Sequence, residues 1–235
     1  LITLDGGGGE GADSLTAEAT SADNAISLVG TGESSGTLEI DSYAPMVFTN
    51  FGTEPGNTIS LDGMGGDDAF SVTHFAGWTF SSVALEGGEP SGSDSLELIG
   101  TAVDDSFDYT PTAPNGGVMV ATASGASTSY GISEIEGLLL DGRAHSDGDV
   151  LDVNDADAVI DPGMFPGTGH VTATDDNGEA LLPLEYQAIE DVEVVDSGGE
   201  EIGVLVDQLI DKQEIVIKSM GEQMQTLPGI SGGAI

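Results

Sequence analysis

Aspartates that recur behind glycines are the residues of this chain whose type and spacing most suggest chemistry. A Leu-Asp-Gly or Leu-Glu-Gly triplet is repeated along the sequence, beginning at Leu4, Leu61, Leu85 and Leu140. Each triplet is followed by an aspartate that stands two residues before an apolar residue, namely Asp13, Asp68, Asp94 and Asp149, and Asp67 adjoins the second. A carboxylate in such a turn can accept hydrogen bonds from the nearby backbone, so one interpretation is that these side chains cap turns.

Other chemistry finds little support in the sequence. There is no cysteine, which excludes disulfides, thiolate metal sites and cysteine nucleophiles. The glycines at 6–11 fit G-x-G-x-x-G, but an acidic, strand-like segment follows where a dinucleotide site needs a helix. The turn at 229–233 fits G-x-S-x-G, but only two residues remain after it for the acid and histidine of a hydrolase. We therefore predict no enzyme, no catalytic residues and no cofactor-binding residues.

The residues around the three histidines and the only tryptophan predict where these side chains lie. His74, His145 and His170 are too scattered to show metal-ligand spacing, and we expect them in exposed loops. Trp78 lies in an aromatic cluster at 75–80, which predicts a plug in the core, although such a cluster could also stack on a sugar.

The charge balance excludes several partners. The chain has 42 acidic residues against 3 Lys and Arg, a formal net charge of −39. Such a chain repels phosphates, so neither nucleic acid nor an anionic membrane surface is expected as a partner. No apolar run approaches 18 residues, so no membrane insertion is expected. Apolar residues make up 38%, enough for a folded core, and the negative charge favours solubility in salty surroundings.

Short, partly alternating runs separated by Gly, Asp, Asn and Pro predict an all-β fold. The repeats favour a β-solenoid, because the 24-residue step from Leu61 to Leu85 suits one coil and is too short for a sandwich. A string of tandem small β-sandwiches is the competing arrangement. Stacked coils place equivalent residues in ladders. The residues predicted to point inward are Leu4, Leu15, Leu61, Phe70, Leu85, Leu96, Phe107, Leu140 and Leu151.

The texture of the sequence changes near residue 190. We predict an acidic Gly/Asp-rich β repeat domain over 1–190 and a different C-terminal segment over 191–235, where aliphatic runs occur with Gln, Lys and Met. Within that segment, 202–206 and 214–217 are rich in β-branched residues and predict two strands. The chain opens inside a strand-like pattern at Leu1 without Met, which suggests a piece of a longer polypeptide.

The repeat region resembles the Gly/Asp-rich, RTX-type repeats of large surface and secreted bacterial proteins. The resemblance is carried by Leu-Asp-Gly, Gly-Gly-x-Asp and the segment 100–107, Gly-Thr-x-x-Asp-Asp-x-Phe. It implies an extracellular or cell-surface structural or adhesive role, with neighbouring repeats of a longer chain as partners. It also implies calcium, because 63–71 comes near the calcium-binding nonapeptide, with Met64 in a glycine position.

Calcium requires six to eight oxygen ligands, which tandem repeats normally supply together. The implied ligands are Asp13, Asp67, Asp68, Asp94 and Asp149, but their repeats are not tandem, so turn capping stays open as the alternative.

The C-terminal segment resembles part of the CheW-like regulatory domain of CheA-type chemotaxis histidine kinases. The matching residues are 206–208 (Val-Asp-Gln), 213–218 (Gln-Glu-Ile-Val-Ile-Lys) and 228–232 (Pro-Gly-Ile-Ser-Gly), in a match that covers about 192–235. This implies a partial SH3-like β segment. The alternative function is then a cytoplasmic signalling module that binds a chemotaxis adaptor, and a third is a carbohydrate-binding β-helix with glycans as partners.

Overall fold

The structure, a computed structural model, describes residues 1–8, 11–51, 56–88, 93–143, 148–155 and 157–195, and the strands at 204–205 and 216–217. The fold is all-β, as predicted: these residues form strands, turns and bends, with no helix among them. It follows that the described part of the chain contains no helix suited to crossing a membrane.

The strands are mostly four to nine residues long. In chain order they are β1 (Ile2–Asp5), β2 (Ser14–Glu18), β3 (Ala25–Gly32), β4 (Ser35–Ile40), β5 (Met46–Thr49), β6 (Asn57–Asp62), β7 (Ala69–Thr73), β8 (Phe80–Glu86), β9 (Ser95–Ile99), β10 (Asp105–Ala113), β11 (Gly116–Ala123), β12 (Ala126–Ser133), β13 (Gly137–Asp141), β14 (Val150–Asn154), β15 (Val159–Pro162), β16 (Gly169–Thr172), β17 (Leu184–Gln187), β18 (Asp191–Val195), β19 (Val204–Leu205) and β20 (Val216–Ile217).

Two mixed sheets contain β1 to β18. The ten-stranded sheet has the order β1-β5-β4-β3-β7-β9-β13-β17-β16-β15, and the eight-stranded sheet has the order β18-β14-β10-β11-β12-β8-β6-β2. Parallel pairs run through the middle of the ten-stranded sheet from β3 to β17 and join β2, β6, β8 and β12 in the eight-stranded sheet. Antiparallel pairing comes from chain reversals at β3-β4-β5, β10-β11-β12 and β15-β16-β17.

The chain passes repeatedly from one sheet to the other. β6 and β8 lie in the eight-stranded sheet, whereas β7 and β9, which follow them, lie side by side in the ten-stranded sheet. Each return brings a strand into register with its predecessor, so that Leu61 pairs with Leu85 and Phe70 pairs with Leu96. Residues at equivalent positions of the repeat therefore stand next to each other.

The hydrophobic core is formed by the apolar residues at alternate positions of the strands. Successive side chains of a strand point to opposite faces, and the apolar positions of both sheets enter one hydrophobic cluster. The predicted inward residues are confirmed: eight are buried, and Leu4 is partly buried and packs against the same cluster. Trp78 is 1% exposed, which confirms the predicted core plug, and its ring lies edge-on to Phe80 with centroids 5.2 Å apart.

The C-terminal end is described in part. The predicted boundary at 190 falls just before β18, which pairs in parallel with β14 as an edge strand of the eight-stranded sheet. β19 and β20 pair with each other antiparallel and lie within the two predicted strands at 202–206 and 214–217. The rest of the segment that resembles the CheW-like domain lies outside the described residues.

Candidate functional site at the aspartate corners

The aspartate of the Leu-Asp-Gly triplet closes a turn at the end of its strand. The backbone N–H of Gly7 donates to Asp5 Oδ1 at 2.9 Å, that of Met64 to Asp62 Oδ1 at 2.7 Å, and that of Arg143 to Asp141 Oδ1 at 2.8 Å. The donating residue has a positive φ each time: 89° at Gly7, 74° at Met64 and 62° at Arg143. These carboxylates therefore cap local turns. The turn-capping interpretation concerned the aspartates that follow the triplets and not these three. Met64 occupies a glycine-like conformation.

The glycine of each triplet is required because a second aspartate covers it. A Cβ placed on Gly87 would meet the backbone oxygen of Glu134 and would come within 2.7 Å of Asp94 Oδ2. The equivalent atom on Gly63 would meet Asp68, and that on Gly142 would meet Asp149. This second aspartate is the one that precedes the next strand, so the spacing in the repeat reflects a side chain folded back over the glycine.

Those second aspartates form a cross-strand ladder at the start of the ten-stranded sheet's parallel strands. The N–H of Asn24 donates to Asp68 Oδ1 at 2.7 Å, and the N–H of Asp68 donates to Asp94 Oδ1 at 2.6 Å. The N–H of Asp94 in turn donates to Glu136 Oε2 at 2.9 Å. Each side chain thus binds the backbone of the preceding pass of the chain, a contact that a turn cap within one strand would not make. We call this series the corner ladder.

A matching corner ladder lies at the start of strands in the eight-stranded sheet. The N–H of Asp105 donates to Asp149 Oδ1 at 2.8 Å, and the N–H of Asp149 donates to Glu190 Oε2 at 2.8 Å. Nearer the N-terminus, the N–H of Asp13 donates to Asn57 Oδ1 at 2.8 Å. The two ladders provide acceptors for backbone N–H groups at the buried starts of the strands. A missing hydrogen bond there would lower the stability of the fold.

The carboxyl pKa shifts in opposite directions in a buried ladder aspartate, Asp68, and in an exposed aspartate of a triplet, Asp5. Removal of Asp68 from water raises the pKa of its carboxyl, the N–H of Asn24 opposes this, and the negative charge of Asp94 adds to it. Asp68 Oδ2 has no hydrogen-bond partner among the described residues. By contrast, the N–H of Gly7 lowers the pKa of the exposed Asp5 carboxyl, with Asn50 contributing. The corner ladder therefore holds at least one carboxylate in an unfavourable setting.

The five predicted calcium ligands do not converge on a single point. Asp68, Asp94 and Asp149 are buried members of the corner ladders, and Asp13 stands in the ladder that ends at Asn57. The N–H of Asp67 donates to Asp23 Oδ1 at 3.0 Å in an exposed contact. In the described part of the chain, no three acidic or histidine side chains are grouped so as to hold a metal ion. The placed residues do not make a calcium cage, and calcium binding stays a prediction.

The predicted placement in an exposed loop is wrong for His74 and His170. His74 does lie in the loop between β7 and β8, but it is 3% exposed because it lies between Trp78 and Tyr130, with ring centroids 6.1 and 6.0 Å away. Its Nδ1 lies 2.8 Å from the Tyr130 hydroxyl, and burial lowers the pKa of His74 to about 4. His170 is half-buried in β16, not in a loop, and His145 lies outside the described residues.

Four ladder residues were missed at the sequence level. Asn24 and Asn57 take the place of aspartate in the ladder. Glu136 and Glu190 stand directly before β13 and β18, as Asp68 stands directly before β7. A signal for the last two exists in the sequence, since each follows an isoleucine, Ile135 or Ile189, that is fully or nearly buried. No comparable pattern marks the two asparagines.

Comparison with known proteins adds no relative. Protein-family models, curated proteins and solved structures were compared with the chain, and none of them matches.

Proposed function

We propose that the chain is a β-solenoid that serves as a non-catalytic structural or adhesive module of a bacterial surface or secreted protein. The observation that carries this proposal is the corner ladder. It joins equivalent residues of successive passes by side-chain to backbone hydrogen bonds, and such bonds between neighbouring passes support an arrangement of stacked coils.

The same features favour a solenoid over tandem small sandwiches. A string of sandwiches would have a separate core in each unit, whereas here residues from β2 to β17 enter one hydrophobic cluster. The parallel, in-register pairing of β6 with β8 and of β7 with β9 is also the pairing of stacked coils, whereas sandwiches are built from antiparallel strands.

An extracellular setting is supported by composition and by the RTX-type resemblance. The net charge of −39 favours solubility. The chain has no cysteine, so it forms no disulfides. The buried aspartates of the ladder accept hydrogen bonds from backbone N–H groups, which is a structural role. The signalling alternative depends on residues 192–235, most of which lie outside the described residues.

Paired cysteines test the solenoid directly, because the chain has none of its own. Ser60 and Ala84 are register partners on neighbouring parallel strands, so S60C/A84C should form an intramolecular disulfide under mild oxidation. S60C/S27C joins residues of different sheets and serves as the control, expected to stay reduced. Absence of the first disulfide, with the control equally unreactive, would argue against stacked coils.

The cellular role needs a separate test. An antibody against the chain should label intact cells of the source organism, or its medium, without permeabilisation. Labelling only after permeabilisation would contradict the surface or secreted assignment. Specific binding of the full-length chain to a chemotaxis adaptor would favour the signalling alternative instead.

Calcium is tested by its effect on stability. If the ion is structural, CaCl₂ should raise the melting temperature well above the value in NaCl at equal ionic strength, and EDTA should reverse this. If the acidic residues only repel one another, both salts should stabilise alike through screening. Equal melting curves would remove calcium from the proposed function.

A further inference from the structure

The outer face of the ten-stranded sheet carries a groove of about 780 Å³. It crosses β3, β7, β9 and β13, and it extends to Glu39 and Asp41 on one side and to His170 and Glu185 on the other. Its floor is formed by small outward-facing residues, among them Ala25, Ala69 and Ser95. Small side chains leave room above the sheet for an extended ligand.

Three glutamates of the groove lie in one cross-strand row. The register runs from Glu39 through Ser27 and Ser71 to Glu97, and then through Leu139 to Glu185. With about 4.8 Å between neighbouring strands, Glu39 and Glu97 are about 14 Å apart, and Glu97 and Glu185 are about 10 Å apart. An extended peptide covers these distances in about four and three residues, at about 3.3 Å per residue.

The groove is complementary to a cation. No Lys or Arg is among its lining residues, and Arg143 is the only one in the first 211 residues of the sequence. Its other two carboxylates are already engaged: Asp41 accepts from Asn24 and Ala25, and Glu136 accepts from Asp94. The row of three glutamates is thus the part of the groove with charge to offer a ligand.

A sugar fits this surface less well. Carbohydrate sites present Trp, Tyr or Phe rings for stacking, and the one such residue of the lining, Phe70, points into the core at 2% exposure. The cluster around Trp78 is buried too. The groove therefore offers a sugar no exposed Trp, Tyr or Phe ring, which the glycan interpretation requires.

We propose that this groove binds an extended basic peptide segment of a partner protein, which lies across the strands with its Lys or Arg side chains on Glu39, Glu97 and Glu185. The segment adds no strand to the sheet, because it occupies a face and not an edge. Its binding is electrostatic in part, so it weakens as salt rises.

The test uses the full chain and a fluorescein-labelled ten-residue peptide of alternating Lys and Ser, with fluorescence anisotropy at 150 mM NaCl. The triple variant E39Q/E97Q/E185Q should weaken binding about tenfold, as expected for three exposed ion pairs. The matched control E18Q/E33Q/E86Q removes the same charge at exposed positions that do not line the groove, and it should change affinity by less than about twofold.

A second pair of variants keeps the charge constant. S71W places a large ring on the groove floor and should also weaken binding, whereas S60W does the same on the outer face of the eight-stranded sheet and should not. Near-ultraviolet circular dichroism checks that each variant folds. Equal weakening by the two triple variants, no effect of S71W, or no peptide binding at 150 mM NaCl would each overturn the proposal.

Discussion

The two ends of the parallel strands use the same residue type for different purposes. At the strand ends, Asp5, Asp62 and Asp141 are surface carboxylates that bind an N–H two residues ahead. At the strand starts, Asp68 and Asp149 are buried and bind an N–H 44 residues behind them in the sequence. The first use requires only a local turn, whereas the second exists only when successive passes are stacked in register. The hydrogen bonds of the strand-start aspartates therefore depend on the tertiary fold, whereas those of the strand-end aspartates depend only on the local turn.

The largest expected effect on stability concerns the contact between a triplet glycine, Gly87, and the strand-start aspartate that covers it, Asp94. G87A would drive a methyl group into the backbone oxygen of Glu134 and against Asp94, so we expect a loss of about 3 kcal/mol or more in the free energy of unfolding. G131A is the control, because a Cβ there has open space and no positive φ to strain. Urea denaturation measures both variants. Similar stabilities for the two would mean that the corner is not packed as described.

The ladder itself is tested at Asp68. D68N keeps an oxygen that can accept from Asn24, whereas D68A leaves that N–H unsatisfied and opens a space over Gly63. We expect D68A to be less stable than D68N by about 2 to 3 kcal/mol. The strand-end control pair D62A and D62N, in the same turn, should differ by about 0.5 to 1 kcal/mol, because its hydrogen bond is exposed to water.

The charge on Asp68 adds a pH dependence with a definite sign. Its pKa is raised in the folded state, so the native protein takes up this proton at a higher pH than the unfolded chain does. Wild type should gain stability relative to D68N as pH falls from 7 through the raised pKa, and the gain should level off below the ordinary value of 3.8. A constant difference between the two proteins over this range would contradict the burial of the charge.

The repeat in the sequence identified the strand-start aspartates but not their hydrogen bonds, and the turn caps made by the strand-end aspartates were not predicted. Inward residues such as Leu61 and Leu85 were predictable because the repeat brings equivalent apolar positions together. The aspartates were found by the same repeat, but their partners were not, because the donor of each bond lies in another pass and is set by register. His74 lies in a loop as predicted, but its burial was missed, because a polar residue beside a strand gives no sign in the sequence of the rings that enclose it.

Burial also changes the pKa of His74, and it lowers that pKa where it raises the pKa of Asp68. The folded-state pKa of His74 is about 4, below its ordinary 6.5, so the unfolded chain binds this proton first. The stability linked to His74 is present above pH 6.5 and is lost as pH falls towards 4, by roughly 2 to 3 kcal/mol. H74Q should lack this loss. Unfolding followed through Trp78, the only tryptophan, between pH 7 and 4 measures it, and parallel profiles for the two proteins would refute it.

The smallest expected effect concerns the residue after each triplet glycine. Met64 adopts a φ of 74°, in the region that glycine occupies readily and other residues occupy at a cost of about 1 kcal/mol. The Met64 side chain is 45% exposed, so little packing is lost on its removal. M64G should therefore be as stable as wild type or more stable by up to about 1 kcal/mol. The reverse change, G7A, at a φ of 89° with open space around the Cβ, should lose about 1 kcal/mol.

These two variants together separate conformation from packing, because neither involves a buried contact. Differential scanning calorimetry at neutral pH should give a melting temperature that is unchanged or higher for M64G and lower for G7A. If M64G instead destabilised the protein by more than about 1 kcal/mol, its side chain would have a role in the turn that its exposure does not show. The glycine-like position in the repeat would then be a site of packing and not of backbone conformation alone.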